Sequence, residues 1–200
     1  MASSSKKAQE LEQKLELNEQ QLQMLQSISR LMVRKMTLAE VLQAVVALVK
    51  SATAADSCLI YLHDGDEMVL CATDSPHPLE IGHIRLKFGE GITGWVAKER
   101  RMVAISQGAQ KDPRFRVFHD LPEDTYEAFL SVPIIVRGEV VGVINVQHRQ
   151  MHRHTGSELE MMITAGEQVG CVIVLAEMGD ITYSNLHPVS LILASPPKMQ

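Results

Sequence analysis

The sequence predicts an α+β domain, and three observations support this prediction. Two apolar runs joined across Arg137-Gly138 form a predicted β-hairpin over Phe129 to Gln147. Shorter strand candidates occur earlier in the chain, over Asp56 to His63 and Glu67 to Ala72. Segments with helical periodicity lie on either side of these strands, so we expect helices to cover a sheet.

The hairpin is predicted to lie at the centre of the sheet, because both of its strands carry apolar residues on both faces. In the first strand one face holds Leu130, Val132, Ile134 and Val136, and the other holds Phe129, Ser131, Pro133 and Ile135. Gly142 leaves an interior position of the second strand without a side chain. This predicts a bend or the close approach of another backbone.

Composition narrows the class of protein. The chain has 200 residues, 46% of them hydrophobic, and a formal net charge of -5. This favours one domain with extensions and gives no basic surface for nucleic-acid phosphates. We find no apolar run of the roughly 20 residues that cross a bilayer and no signal peptide at the start of the sequence, so we expect a cytoplasmic protein with neither a nucleic-acid nor a membrane partner.

The three cysteines, Cys58, Cys71 and Cys171, are widely spaced and surrounded by apolar residues. No Cys-x-x-Cys motif occurs. The pattern predicts buried, reduced thiols rather than disulfides or a metal site.

Residues 1–36 are predicted to form a coiled-coil stalk. Positions a and d of a heptad repeat fall on Leu15, Leu22, Ser29 and Met36 and on Leu11, Asn18, Leu25 and Met32. Lys14 at g and Glu19 at the following e have the spacing of an ion pair across a parallel dimer. The alternative is a single amphipathic helix that lies on its own domain.

The domain itself is predicted to begin at Thr37, which forms a capping box with Glu40 and starts a helix over Leu38 to Ala54. After the first two strands, a half-exposed strand with Ile84, Leu86 and Phe88 leads into Gly89-Glu90-Gly91. A short helix over Ile92 to Lys98 follows, and then a strand over Met102 to Ile105.

The segment from Ser106 to Glu127 has no periodicity but is rich in aromatic residues, so it is predicted to be a functional lid or, alternatively, a loop pinned to the core. The segment His148 to His154 is predicted to be a solvated loop, with a metal site as the alternative. A second capping box at Thr155 and Glu158 starts the closing helix. Residues 37–178 are thus the predicted domain, and residues 179–200 a tail or linker.

This order of elements resembles a GAF domain, a small-molecule sensing module of signalling proteins. The resemblance rests on GEGITGWVA (Gly89 to Ala97) and on SVPI with GVINV in the hairpin, and it covers Thr37 to Met178. The loop motif DPRF (Asp112 to Phe115) and the segment EDTYEAFLSVP (Glu123 to Pro133) look most similar to the GAF segments of nitrogen-type phosphotransferase enzyme I and of NifA-like activators.

The resemblance implies an antiparallel sheet of five or six strands. The two terminal helices would lie on one face, and the short helix and long loop would cover the other, where family members hold ligands. By position, the implied ligand-binding residues are Phe88, Ile92, Trp95, Arg114, Phe115, Phe118, Tyr126, Ser131 and Gln147. Arg114 is the residue expected to bind an anionic ligand. The alternative is that Arg114 is simply a solvated arginine of the loop.

Other chemistries of the family are not expected. The Asn-Lys, Phe, Asp-Glu signature of cyclic-nucleotide-binding members cannot be placed in this chain. Lys87 to Leu130 contains no cysteine, whereas bilin-binding members and free-methionine-sulfoxide reductases use cysteines in the ligand-side loops. No catalytic residues, cofactor or metal are predicted.

The predicted function is therefore a non-catalytic sensory domain that binds an unknown small molecule under residues 106–127. The signal would pass through a homodimer formed by the terminal helices. A ligand-free GAF dimerisation scaffold, whose own aromatic side chains fill the pocket, is the alternative.

Overall fold

The computed structural model describes residues 2–32, 34, 36–74, 81–116, 126–179 and 188–193. In chain order the elements are α1 (Ala2–Met32), α2 (Leu38–Thr53), β1 (Ser57–Asp64), β2 (Glu67–Thr73), β3 (Arg85–Lys87), α3 (Gly91–Glu99), β4 (Val103–Ile105), β5 (Ala128–Val136), β6 (Glu139–His148), α4 (Gly156–Gly179) and α5 (Pro188–Leu193). A short 3-10 helix, Ala109–Lys111, lies between β4 and β5.

The six strands form one antiparallel sheet in the order β3-β2-β1-β6-β5-β4. The predicted hairpin, β5 and β6, lies inside the sheet, with β1 on one side and β4 on the other. Its turn places Arg137 and Gly138 at φ 51° and 84°, the conformation of the tight turns that join twisted strands. The predicted α+β fold and its sheet are therefore confirmed.

Gly142 occupies the crowded position that the sequence predicts. A Cβ atom there would lie 2.6 Å from the Tyr61 carbonyl oxygen on β1 and 3.0 Å from the side chains of Ile134 and Leu62. The register of β5 and β6 also shifts between Ile134 and Ile135, opposite this glycine. The glycine lets β1 and β6 pair closely beside this irregularity.

Alternation along the strands divides the core into two layers. Leu130, Val132 and Ile134 of β5 point to the face covered by α1, α2, α4 and α5. Phe129 of β5 and Val143 of β6 point to the opposite face, which α3 covers. The first and last long helices therefore share one face of the sheet, as expected.

Both predicted capping boxes are present. At the start of α2, Glu40 N donates to Thr37 Oγ1 at 3.3 Å, and Thr37 N donates to Glu40 Oε2 at 2.8 Å. At the start of α4, Glu158 N donates to Thr155 Oγ1 at 3.2 Å, and Thr155 N donates to Glu158 Oε2 at 3.4 Å. These contacts satisfy backbone donors that a helix start leaves open.

Helix α1 lies on its own domain through a stripe that differs from the heptad seam. Met24 and Ile28 are buried against the helical face of the core, where α1 contacts α2 and α4. Leu11, Leu15 and Leu22 are 60%, 59% and 54% exposed. The domain therefore fixes the later part of α1 and leaves Leu11, Leu15 and Leu22 in solvent.

Two features of the C-terminal region depart from the sequence analysis. The predicted tail contains α5, whose Val189 and Ile192 are buried against the helical layer. The prediction of a buried thiol is wrong for Cys171, which is exposed because it lies on the outer face of α4. Contrary to the expectation that no apolar run could cross a bilayer, one stretch of this helix, Gly156–Ala176, has the length and mean hydropathy to do so, and 44% of it is buried within the fold.

Candidate functional site

The face opposite the long helices is covered by α3, which begins directly after the Gly89-Glu90 turn. Gly89 has φ 87°, and its N donates to the Gly94 carbonyl at 2.7 Å. A Cβ atom at Gly94 would lie 2.3 Å from the Lys87 carbonyl oxygen, so only glycine allows this approach. The glycine pattern therefore sets how closely α3 packs on the turn after β3.

The first part of the predicted lid lies across α3. Arg114 places its guanidinium carbon 4.6 Å from the centre of the Trp95 ring, within cation–π range. Asp112 holds this arginine in a fork: Nε donates to Oδ1 at 2.8 Å, and Nη2 donates to Oδ2 at 2.7 Å. The hydrogen bonds from Arg114 keep the pKa of Asp112 below its usual range. The result is an oriented cation stacked on an aromatic ring.

Both ends of the lid are attached to the domain. Arg116 pairs with Glu90 at the start of α3, and Arg114 and Arg116 lie against Gly91. At the other side, Glu127 accepts hydrogen bonds from Gly108 N at 2.9 Å and Ala109 N at 3.0 Å. The loop is therefore held at both anchors, as expected of a lid or of a packed loop.

A buried polar chain connects α3 to the two central strands. Ser131 Oγ donates to Asn145 Oδ1 at 2.6 Å, and Asn145 Nδ2 donates to Thr93 Oγ1 at 2.8 Å. All three residues are buried. Ser131, a predicted ligand contact, is thus already engaged inside the domain, where it orients Asn145 toward α3.

The structure brings several predicted site residues together. Ile92 belongs to the buried cluster on the α3 face, and Phe88, Trp95 and Phe115 pack against that cluster. Tyr126 is buried just before β5. Gln147 lies on β6, where it is half-buried and pairs with Phe129 of β5. Phe118 lies outside the described residues, as do residues 117–125 in general. The assignment of these residues to a ligand remains a prediction.

Sequence reasoning missed Asp112, Thr93 and Asn145 as site residues. The Asp-Pro-Arg order was a usable signal, because an aspartate commonly accepts a hydrogen bond from the backbone two residues on, and Arg114 N donates to Asp112 Oδ1 at 2.9 Å. The hydrogen bond between Thr93 and Asn145 joins residues that are 52 positions apart in the sequence. Only the packing of α3 on β6 reveals that link.

A concave surface lies on the helical face. It is a cleft of about 300 Å³ between α1 and α2, lined by Gln23, Met24, Ser27, Leu48, Ser51 and Ala52. None of the predicted ligand-binding residues borders it. The cleft therefore belongs to the packing of α1 on the domain and not to the predicted site.

The cysteines do not face the lid. Cys58 and Cys71 belong to the cluster on the helical side of the sheet, and Cys171 is on α4. Burial raises the pKa of Cys58 and raises that of Cys71 to about 12. Both groups are therefore neutral thiols at physiological pH, which makes them poor nucleophiles.

The histidines after β6 do not belong to a solvated loop. His148 and Glu158 are buried, and the side chain of His154 is only 2% exposed. The expectation of solvation holds for Arg149, Gln150, Met151 and Arg153, which are exposed. Burial lowers the pKa of His148. Burial opposes ionisation of Glu158, but hydrogen bonds with His154 and His152 lower its pKa to about 2.

Comparison with known proteins supports the resemblance seen in the sequence. Residues 37–173 match the family model described as GAF domain. A curated relative from Escherichia coli K12, described as "Phosphoenolpyruvate-dependent phosphotransferase system", is 29% identical over 141 residues, which cover 70% of this chain and 19% of the relative. Its counterpart from Salmonella typhimurium is 30% identical over 136 residues, or 67% of this chain and 18% of the relative. The chain thus spans about a fifth of the length of these relatives.

Solved structures agree with this match. The GAF domain of a phosphoenolpyruvate-protein phosphotransferase from Coxiella burnetii has a TM-score of 0.74 and 28% identity, and covers 80% of this chain and 95% of its own. The corresponding Acinetobacter domain has a TM-score of 0.71 and 28% identity, with 79% and 95% covered. Free methionine-R-sulfoxide reductase from Neisseria meningitidis shares the fold alone, at 17% identity and a TM-score of 0.65, with 78% and 89% covered.

Proposed function

Because the chain belongs to the GAF domain family, we propose that it is the non-catalytic sensory domain of a bacterial signal-transduction protein of the phosphotransferase type. A small molecule binds between residues 106–127 and the α3 face of the sheet. The conformational change caused by this binding passes to the helical face of the sheet and alters a homodimer formed by the terminal helices. The protein acts in the cytoplasm.

The main support for this proposal is the way in which the start of the predicted lid is attached to α3. Asp112 holds Arg114 over Trp95, so a cation and an aromatic ring are oriented together at the start of the loop. Among the described residues, Nη1 of Arg114 makes no hydrogen bond. An arginine oriented in this way is suited to bind a small carboxylate with the donors that face away from Asp112.

The strands provide a direct connection between the two faces. Phe129 and Leu130 are neighbours on β5 but point into different core layers, toward α3 and toward the long helices. Helix α4 packs directly on β5. A shift of α3 that moves β5 therefore also changes the surface on which α4 rests, because closely packed layers transmit displacement.

Trp95 offers a direct test of ligand binding, since it is the only tryptophan in the chain. We expect at least one member of a panel of small mono- and dicarboxylates at 1 mM to change Trp95 fluorescence and to slow tryptic cleavage at Arg116. Arg114→Gln should weaken this response by about tenfold or more through loss of a charged hydrogen bond.

Arg101→Gln is the matched control, because Arg101 is an exposed arginine outside the lid. A panel that leaves both fluorescence and digestion unchanged, or a response that Arg114→Gln does not reduce, would contradict the proposed site.

The ligand-free scaffold is the second candidate. It is favoured by Phe115, which already packs against the cluster that a ligand would contact.

The dimer is supported by the exposed leucines of α1. Leu11, Leu15 and Leu22 lie in the predicted seam and do not pack on the domain. Lys14 and Glu19 beside them are exposed as well. Pairing with a second copy would remove this apolar surface from water.

We expect the double substitution of Leu15 and Leu22 by Asp to raise the dimer dissociation constant by at least about 100-fold, because each leucine contributes roughly 1.5 to 3 kcal/mol when buried. Sedimentation velocity across a concentration series measures this change. Gln23→Asp serves as the control, because Gln23 is exposed outside the seam. A monomeric wild-type protein at high concentration, or a dimer that tolerates both aspartates, would exclude this interface.

A further inference from the structure

Four side chains converge where β6 leads into α4. His148 is the last residue of β6, His152 and His154 lie in the connection, and Glu158 is in the first turn of α4. One potential ligand atom of each lies within 4.8 Å of all the others. The histidines of the connection point inward, whereas Arg149, Gln150, Met151 and Arg153 are exposed.

The distances within this cluster approach those of a metal site. Glu158 Oε2 is 2.9 Å from His152 Nε2, while Glu158 Oε1 is 3.5 Å from His154 Nδ1 and 3.7 Å from His148 Nε2. Ligands of a tetrahedral zinc ion, with bonds of about 2.0 to 2.1 Å, are separated by roughly 3.4 Å. Small side-chain rotations would therefore bring these atoms to coordination distance.

The Nε2 atom of His148 lacks a hydrogen-bond partner in the described part of the chain. This nitrogen is buried, and the whole side chain is 7% exposed. A buried ring nitrogen without a partner is costly, so such groups commonly have a hydrogen bond or a metal ligand role. This nitrogen faces the Glu158 carboxylate at a distance too long for a hydrogen bond.

His154 is oriented from outside the cluster. Its Nε2 lies 3.3 Å from the Ile105 carbonyl oxygen, to which it can donate a proton. A neutral imidazole carries a single N–H, so with Nε2 as the donor to Ile105 it cannot also donate from Nδ1 to Glu158 Oε1, which lies 3.5 Å away. A cation between these two atoms removes this conflict. An imidazole that donates its other N–H to a backbone carbonyl is a common arrangement around protein-bound metals.

We propose that His148, His152, His154 and Glu158 bind one divalent metal ion of the zinc type. Imidazole nitrogen with one carboxylate suits zinc better than magnesium or calcium, which prefer all-oxygen sites. Four protein ligands complete a tetrahedron and leave no open position, so the ion is structural and not hydrolytic.

The bound ion would join three parts of the domain. It would connect the end of β6, the connection after it and the start of α4, close to the end of β4 through Ile105. His152, with a 33% exposed side chain, marks the entry side. The rings of His148 and His152 now stack at 3.8 Å and must tilt so that the ion lies in the plane of each.

The test is a titration of the chelator-treated, reduced protein with Zn²⁺ against a competing metal indicator at pH 7.5. We expect one ion per chain with a dissociation constant below about 1 µM and an increase in melting temperature. His152→Ala should weaken binding by more than about 100-fold, because even residues that only orient a ligand contribute 10- to 100-fold. His83→Ala, an exposed histidine outside the cluster, should bind like wild type.

Two further measurements identify the ligands. Co²⁺ in the site should give the intense visible absorption of a tetrahedral ion without a thiolate charge-transfer band, and Cys171→Ser should leave the affinity unchanged. The circular dichroism of metal-free His152→Ala checks that the variant folds. Binding weaker than about 100 µM, binding that His152→Ala leaves unchanged, or binding lost in Cys171→Ser would each overturn the proposal.

Discussion

Replacing Gly94 by Ala is expected to lower the free energy of unfolding by about 1 to 2 kcal/mol. The added methyl group would lie 2.3 Å from the Lys87 carbonyl oxygen and 3.2 Å from Gly89 N. Both atoms are backbone, so no side chain can rotate away and α3 must move from the turn after β3. Overpacking of this kind costs about 1 to 3 kcal/mol or more and outweighs the roughly 1 kcal/mol by which alanine favours a helix.

Urea unfolding followed by circular dichroism and by Trp95 fluorescence would measure this effect, because Trp95 lies on the helix that is displaced. Gly156→Ala is the matched control, since no atom lies within 4 Å of a Cβ at that position. We expect it to leave stability unchanged or to raise it by up to about 1 kcal/mol, because Gly156 is the first residue of α4 and alanine favours a helix. Equal stability of the two variants would show that α3 does not approach the Gly89 turn closely enough for a methyl group to collide with it.

Replacing Asn145 by Ala is expected to cost about 3 kcal/mol. The Ser131 hydroxyl would lose its acceptor and the Thr93 hydroxyl its donor, and both are buried. Each buried polar group left without a partner costs about 1 to 3 kcal/mol, and the small cavity adds to this. Since Thr93 is on α3, the loss should also loosen α3 from the sheet, which Trp95 fluorescence would report.

A double-mutant cycle separates this network from simple loss of volume. Ser131→Ala and Asn145→Ala each break the same hydrogen bond, so together they should cost at least about 1 kcal/mol less than the sum of the single effects. Asn18→Ala on α1 controls for the chemical change, because Asn18 is exposed. Strict additivity would argue against coupling between Ser131 and Asn145.

The buried chain from Ser131 to Thr93 also limits how the proposed sensor can move. It ties α3 to β5 and β6 through two buried hydrogen bonds. The lid is attached to α3 through Arg114 and Trp95. A ligand that repositions Arg114 would therefore act on α3, and through Asn145 on the strands that support α4.

Much of the fold could be predicted because local patterns carried the information. The period of two in β5 and β6, the turn at Arg137-Gly138 and the two capping boxes depend on residues close in the sequence. The glycines in GEGITGWVA indicated the start of α3 for the same reason. These local rules predicted both sheet faces and the helix starts.

The candidate site was less accessible to sequence reasoning, because its important contacts join distant residues. Periodicity could not show that Arg114 would be held by Asp112 over Trp95, or that Ser131 would be engaged by Asn145. The histidine segment reads as polar and exposed along the chain. Three of its side chains are instead directed toward Glu158 by the turn into α4.

The sequence by itself determined the strands, the capped helices, the turn and the GAF family of this chain, because each depends on local backbone preference and on the alternation of apolar residues. Tertiary structure alone decided which stripe of α1 lies on the domain, which polar groups meet beneath α3, and where His148, His152 and His154 point. Those outcomes depend on which surfaces exclude water when distant segments pack together. No local pattern specifies that choice.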